Sequence, residues 1–580
     1  MPGIVAKRIW LFLPLAWIVL SCAVLVGESR GVSGPLVVSE NWPECTTLQT
    51  WIQDVMRLEK LENASETAQG KVFFQWLRLF SKMATGGMIQ AHEGDYGKEQ
   101  YVLDAHKNLF VYGWGYCDTH SRIAEAAWSE FKRDRNAAQR VIVQHEDGGY
   151  HTMCRLKLDG HYAAFDARYG YYLIEKDEPG ARILDWPEAG VDENILRNKS
   201  FQFRSRPFFE FFGREWERAL LLQSQFYNSE EEWIENGKPV ESVFSDPKYE
   251  MGTLFHDMNF RLPKGTRLER HWDNSARKFF VPAGFESKGE EPFRPSGRFY
   301  RVTETMFDGN WPKFDPNYAK CASYLTAVPF DEGYNPEVSG GRTIGQAWGK
   351  WVYSPDFRDS RFLLDSPFQT DFRLDASAPY LRPARKNEGG QAIVDFYCPY
   401  VMVDGVLEGE WLSTLEDQPL VEIRIVKAKP NHEREAEAWS SWQRLDDRPG
   451  YFRLELGKPR FNGRDVSIHG VYRFQVRLSL KANQKRIAPA GLKSFKFSGW
   501  FENGIMSIPR IVEGENTIHF KVSDASSIRS PIRILYRYQT ASGEKQHLQI
   551  LQRENFQNHR ATYSFQAPGL KRCNSLAIEY

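Results

Sequence analysis

Between residues 45 and 135 the apolar positions recur at a helical spacing. Leu48, Trp51, Ile52 and Val55 form one stripe and Phe73, Trp76, Leu77 and Phe80 a second, the pattern of side chains that share one face of an α-helix. Asn63 followed three residues later by Glu66 predicts a capping pair at the start of the second helix, and Gly86-Gly87 predicts its end. A loop-like region follows, and a third helix is predicted from about Cys117 to Arg133. Beyond residue 140 the texture changes. "RVIVQ" and "HTMCRLKLDGHYAAFDARYGYYL" read as short strands, the second pair joined by Asp159-Gly160, a dipeptide that suits a tight hairpin turn. Helices followed by an antiparallel sheet predict an α+β domain.

From about residue 250 onward the pattern is nearly all strand and turn. "MNFRLPKGTRLERHW" alternates around Pro263-Lys264-Gly265, and "VYRFQVRLSL" puts Tyr472, Phe474, Val476 and Leu478 on one face. Breaks fall at "YNSEEEWIENGKP", "ASAPYLRPARKNEGGQ" and "KANQKRIAPAG". The chain is therefore expected to be multidomain: a leader at 1–27, an α+β domain at 40–240 with its core at 45–175, and β-rich modules at 245–380, 390–486 and 488–580. The segment 392–486, with "CPYVMVDGVLEGEW", "VEIRIVKA" and "AWSSWQRL", resembles in texture the immunoglobulin-like or fibronectin-type β-sandwich modules of exported bacterial proteins.

Two features change how this organisation is read. Lys7 and Arg8 precede the apolar run "IWLFLPLAWIVLSCAVLVG", the order of charged and hydrophobic regions in a secretory signal. Export to the periplasm, the cell surface or the medium is the expectation. The run from Ile9 to Gly27 approaches the roughly 20 residues that cross a bilayer, so an uncleaved anchor is the alternative, and the only route to a membrane. Ser21-Cys22 resembles a bacterial lipoprotein cleavage site, but Leu20 before it fits that pattern poorly. Acidic and basic residues balance at 75 each, so no global field favours nucleic acid.

Export permits disulfides. Cleavage would leave Cys45, Cys117, Cys154, Cys321, Cys398 and Cys573, scattered, with no spacing that suits zinc. No acidic loop of calcium-binding form is evident either. No metal and no cofactor are expected, and most of these thiols read as inert and buried.

Cys117 is different, because it stands where "YGWGYC" opens a helix. A helix N-terminus favours a thiolate through its partial positive charge and unpaired N–H groups. Such a nucleophile also needs a base and a group that orients the base. Across a hairpin that turns at Asp159-Gly160, positions summing to about 319 face each other, which makes Asp166 a near-diagonal neighbour of His151 on one face. "GYC" opening a helix, Gln139-Arg140-Val141 entering a strand, and His151 and Asp166 flanking "LDG" together resemble the transglutaminase-like superfamily over roughly residues 45–175. The resemblance implies a papain-like thiol site, with Cys117 as nucleophile, His151 as general base and acid, and Asp166 orienting His151. The order of the three residues and the spacing of 15 between the last two are what the family shows. An aromatic residue usually stands two places after the histidine, whereas this chain has Met153.

His120, one turn after Cys117, is a rival base, but a residue on the nucleophile's own helix points along its side. His145 and His161 are further rivals, and His161 has the opposite strand parity to Asp166. Trp114 is a candidate oxyanion donor or pocket wall beside Cys117. Trp439 and Trp442 are candidate sugar or partner contacts, with core packing the simpler expectation. Three readings follow. The first is an exported thiol enzyme that attacks protein or peptide amides through an acyl-enzyme, hydrolysis being favoured over cross-linking by the resemblance. The second is an inactive scaffold of the same fold presenting sandwich modules to a polysaccharide or a cell-surface protein. The third is an enzyme whose chemistry lies in the β-rich half.

Overall fold

The N-terminal third is built on an aromatic core. In the computed structural model a two-residue strand at Val32–Ser33 pairs with Arg261–Leu262; strand β1 at Leu36–Ser39 follows, then helix α1 at Leu48–Leu58, α2 at Glu66–Phe80 and α3 at Cys117–Lys132. The structure describes residues 31–85, 104–115, 117–144, 150–166, 171–172, 182–185, 238–239, 242–244, 256–272, 276, 301–302, 346–359, 362–364, 367–375, 380–385, 387–426, 439–457, 467–486 and 488–580. The two apolar stripes read from the sequence meet here: Trp51 packs edge-on against Phe73 and Phe80 at 6.0 and 5.3 Å between ring centroids, and Phe73 lies 5.4 Å from Trp128 of α3. Each such side chain contributes about 1.5–3 kcal/mol by leaving water.

Helix starts follow local and remote chemistry. Thr47 caps α1 by accepting from the Thr50 N–H at 3.0 Å. The cap of α2 is Ser65, not Asn63 as expected, and its next amides are taken up from far along the chain. The Glu66 and Thr67 N–H groups donate to the Asp159 carboxylate at 3.2 and 3.1 Å, while the Asp159 N–H donates to Glu66 at 2.7 Å. A hairpin turn thus does the work of the second capping residue. The predicted end at Gly86-Gly87 lies outside the described residues; the helix stops at Phe80 and the strand Lys82–Thr85 follows. The region read as loop contains a wide helical turn at Lys107–Tyr112, closed by Gly113 at φ 69°.

Beside these helices stands a five-stranded antiparallel sheet, with β2 at Ala138–Gln144, β3 at Tyr150–Leu158 and β4 at His161–Asp166, edged by Tyr171–Tyr172 and Lys238–Pro239. Asp159 at φ 49° and Gly160 at φ 90° make the two-residue turn between β3 and β4, the left-handed pair that a tight hairpin requires. Cys154, Leu156 and Leu158 on β3 join the core that holds Trp128, and Phe165 of β4 packs against Phe74 of α2 at 5.1 Å.

The remainder is sheet. Its main strands are β5 (Thr266–His271), β6 (Gln346–Tyr353), β7 (Gly390–Leu412), β8 (Leu420–Ile425), β9 (Val471–Leu480), β10 (Gly491–Gly504), β11 (Gly514–Lys521), β12 (Ile532–Thr540), β13 (Gly543–Leu551), β14 (Arg560–Ala567) and β15 (Leu570–Glu579). One large sheet runs Gln443–Asp446, β8, β9, β7, β10, β6, β5, β15, β12, β13, drawing strands from each of the three β-rich segments. The 23-residue β7 has register shifts after Tyr397 and Met402; its first half pairs with β9 and its second with β10. Such irregularities let one strand serve two layers. Between them Phe396, Phe474 and Phe497 pack with centroids 4.7–5.3 Å apart. As expected, Phe474, Val476 and Leu478 are fully buried, while Tyr472 is half-buried and its hydroxyl meets that of Tyr112 at 2.8 Å. The molecule is mostly β-sheet with few helices, multidomain and β-sandwich-like.

The two ends of the described chain are stitched together. β1 pairs with β11, which pairs with β14, and Trp42 Nε1 donates to the Met506 carbonyl at 2.7 Å. The Lys107–Tyr112 turn lies on β10, where a side chain at Gly504 would come within 2.9 Å of the Phe110 carbonyl.

Candidate functional site

Cys117 is the first residue of α3, and the local chain explains why. The left-handed Gly113 ends the preceding turn, and Trp114–Gly115 then runs parallel to Lys82–Met83. The helix that follows is buried from His120 to Glu130 except at Arg122, and Cys117, Asp118 and Thr119 form a half-buried mouth at its start. A helix encased along its length presents chemistry only where it emerges. Thiol, helix N-terminus and partial exposure therefore coincide there.

A network of charge fixes that first turn. Arg140 of β2 reaches Asp118 at 2.7 Å and Glu125 at 2.8 Å, while Arg122 holds the other oxygen of Asp118 at 2.7 Å. Burial pushes the Asp118 carboxyl up, but Arg122 and Arg140 outweigh it and hold it below the usual carboxylate range. Burial wins at Glu125 and raises it, against the pull of Arg140. The Ser121 hydroxyl lies 2.8 Å from the Cys117 carbonyl and 3.0 Å from the Thr152 carbonyl. The turn that carries Cys117 is thereby joined to the residue next to His151.

His151 is the second residue of β3, opposite Val143 of β2, and Asp166 is the last residue of β4, opposite Tyr171. The β3–β4 register pairs Leu158 with His161 and Cys154 with Phe165. Carried one step on, it sets Asp166 across from Met153 and one diagonal from His151. Met153 is buried, cross-strand from Val141, so the position where the family usually has an aromatic residue is here a packed aliphatic one.

His120 is buried in the body of α3 with 1% of its surface exposed. His161 opens β4 with the parity of Phe165, and His145 lies outside the described residues. The cysteines sort by position: Cys154, Cys398 and Cys573 are buried thiols pushed up by burial, and no disulfide forms among the five described cysteines. Cys22 and Cys321 lie outside the described residues, as does the leader at 1–27. No described helix is long and apolar enough to cross a membrane.

Sequence reasoning missed what Arg140, Asp118, Glu125 and Ser121 do. Asp118 and Arg122 at a four-residue spacing were a visible signal; the partnership with Arg140 was not. Trp439 and Trp442 turn out to be neither core nor free surface. Arg424 lies 4.6 Å from both ring centroids, Arg473 5.4 Å from Trp439 and Arg477 4.4 Å from Trp442.

No family model matches this chain, and no curated protein does. Among solved structures it is similar to a glycosyl hydrolase family 2 member from Bacteroides cellulosilyticus DSM 14838 at 8% identity, over 33% of this chain and 24% of that one, with a TM-score of 0.12. A putative beta-galactosidase from Bacteroides fragilis follows at 9% identity, 32% and 28% coverage and a TM-score of 0.12. The beta-glucuronidase of Parabacteroides merdae gives 9%, 39%, 29% and 0.11. The matched stretches span less than a third of those chains, and at these scores the likeness assigns neither fold nor activity.

Proposed function

We propose that the three helices and the five-stranded sheet form an α+β domain of the transglutaminase-like kind, and that this chain is an exported thiol enzyme acting on protein or peptide amides. Cys117 attacks the carbonyl carbon, His151 passes the thiol proton to the leaving amine as the C–N bond breaks, and Asp166 orients His151. Water then resolves the thioester and regenerates the thiol. Trp114 stays the candidate for the oxyanion donor or pocket wall, and the sandwich modules bring the domain to a polysaccharide or protein surface.

One observation carries the reading. A cysteine begins an otherwise encased helix, and a serine hydroxyl joins its turn to the strand of His151, with Asp166 one diagonal away on the next strand. The test is the pH dependence of Cys117 alkylation by iodoacetamide, read by peptide mass and compared with the unfolded chain. Reaction that persists well below the roughly 8.5 of a free thiol supports the reading. Reaction that follows the unfolded chain at every pH overturns it in favour of an inactive scaffold.

A further inference from the structure

Among the described residues Arg140, Arg270, Arg486 and Arg510 are buried, and the first three make an instructive set. Arg140 has two carboxylates, and Arg486 has Asp417 at 2.7 Å. Arg270 on β5, 8% exposed, has none among the described residues. Its Nε donates to Asn503 Oδ1 at 3.0 Å and its Nη2 to Ser507 Oγ at 2.7 Å, both neutral, and its guanidinium lies 4.5 Å from the ring centroid of Tyr400. A guanidinium carries five N–H donors, so three have no partner among the described residues.

This group lines a cavity of about 50 Å³, room for more than one water. Leu36, Met258, Leu268 and Ile578 give it an apolar wall, and Tyr400, also 8% exposed, joins Arg270 on the polar side. The Tyr400 hydroxyl makes no hydrogen bond among the described residues, and burial pushes the phenol up to about 12, so it stays a donor at neutral pH. Glu44 lines the cavity too, but Lys521 holds its carboxylate at 2.7 Å and Thr46 donates to it. The Cys45 thiol is spent on the Pro43 carbonyl at 3.4 Å. What the cavity lacks is one negative charge.

We propose that it binds a small monocarboxylate with a short apolar tail, the carboxylate on Arg270 and Tyr400 and the tail against Leu36, Leu268 and Ile578. A planar carboxylate matches the guanidinium fork. One cation matches one anionic charge, and the apolar wall selects a chain over a fully hydrated inorganic ion. The site is independent of Cys117 and its chemistry. Its walls come from both ends of the chain, so an occupant stabilises the folded state by mass action.

The experiment is thermal unfolding of the full chain in butyrate, butyramide or sulfate at one ionic strength. Butyrate gives a saturable rise of at least about 2 °C, and butyramide and sulfate give none. Arg270→Met abolishes the butyrate response. Tyr400→Phe keeps the ring and weakens the apparent affinity about tenfold, which decides the matter if the arginine variant fails to fold. No saturable response, an equal response to butyramide or to sulfate, or a Tyr400→Phe titration that overlays the wild type overturns the proposal.

Discussion

The mouth of α3 and the solvent face of β8 and β9 both gather arginines, and they use them in opposite ways. At α3 the guanidinium of Arg140 is buried and spent on carboxylates, which leaves the thiol beside them half open. On β8 and β9, Arg424, Arg473 and Arg477 interleave with Trp439 and Trp442, and each also donates to a polar neighbour: Gln475, Asp395 and Glu422 in turn. The same residue type fixes the first turn of a helix in one place and covers a sheet face in the other. An aromatic pair on a sheet is thus weak evidence for a binding platform until its neighbours are known, whereas a cysteine at an emerging helix end already has its setting.

Variants at the two places should separate them sharply. Cys117→Ala should lower peptide-amide turnover by at least about a thousandfold with unfolding unchanged, because the residue is half exposed and in the proposed mechanism its side chain is the nucleophile. His151→Ala should cost nearly as much, and Asp166→Asn should leave measurable turnover. If His120→Ala matches His151→Ala in a folded protein, the base is misassigned. Next in size, Arg140→Met should destabilise by about 3–5 kcal/mol in urea unfolding, since it leaves the buried Glu125 without its cation, while Asp118 keeps Arg122. Arg477→Met on the open face should cost about 1 kcal/mol or less. Trp442→Ala should remove about 1–2 kcal/mol of stacking and leave glycan retention on affinity gels unchanged; lost retention would restore the tryptophans as a platform.

The smallest effect concerns pH. Asp118 is held below its usual range in the folded chain, so its stabilisation is present above the unfolded value of about 3.9 and is lost as pH falls through the lower, folded value. Asp118→Asn should therefore flatten the acid limb of a stability-against-pH curve. A limb of unchanged slope would mean that Arg140 works mainly through Glu125.

Much of this was legible because it is local. The stripes of Trp51 and Phe73 and the Asp159-Gly160 turn each act within a few residues, and so predicted α1, α2 and the β3–β4 register. The cap of α2 was misread because Asp159, 93 residues on, supplies part of it. Turn residues tell where a strand ends, not which strand it joins; hence β10 can pair with both β6 and β7 without any signal in its own sequence. Candidate chemistry followed the same division: the order of Cys117, His151 and Asp166 is a property of the sequence, while the grip of Arg140 on the first turn of α3 arises only when β2 packs against that helix.

β1 was invisible for the same reason, as four residues whose partner strand is nearly the last to be made. It binds β11, and the neighbouring Asn41 reaches Asn516 from 475 residues away. At about 5–20 residues per second, a ribosome spends roughly half a minute or more between the two. Throughout that interval the early strand has no mate and its backbone groups must be screened by water or by a chaperone. Chains that stop short of residue 514 carry that orphan permanently, which makes late truncation a route to aggregation of the beginning of the protein rather than of its end.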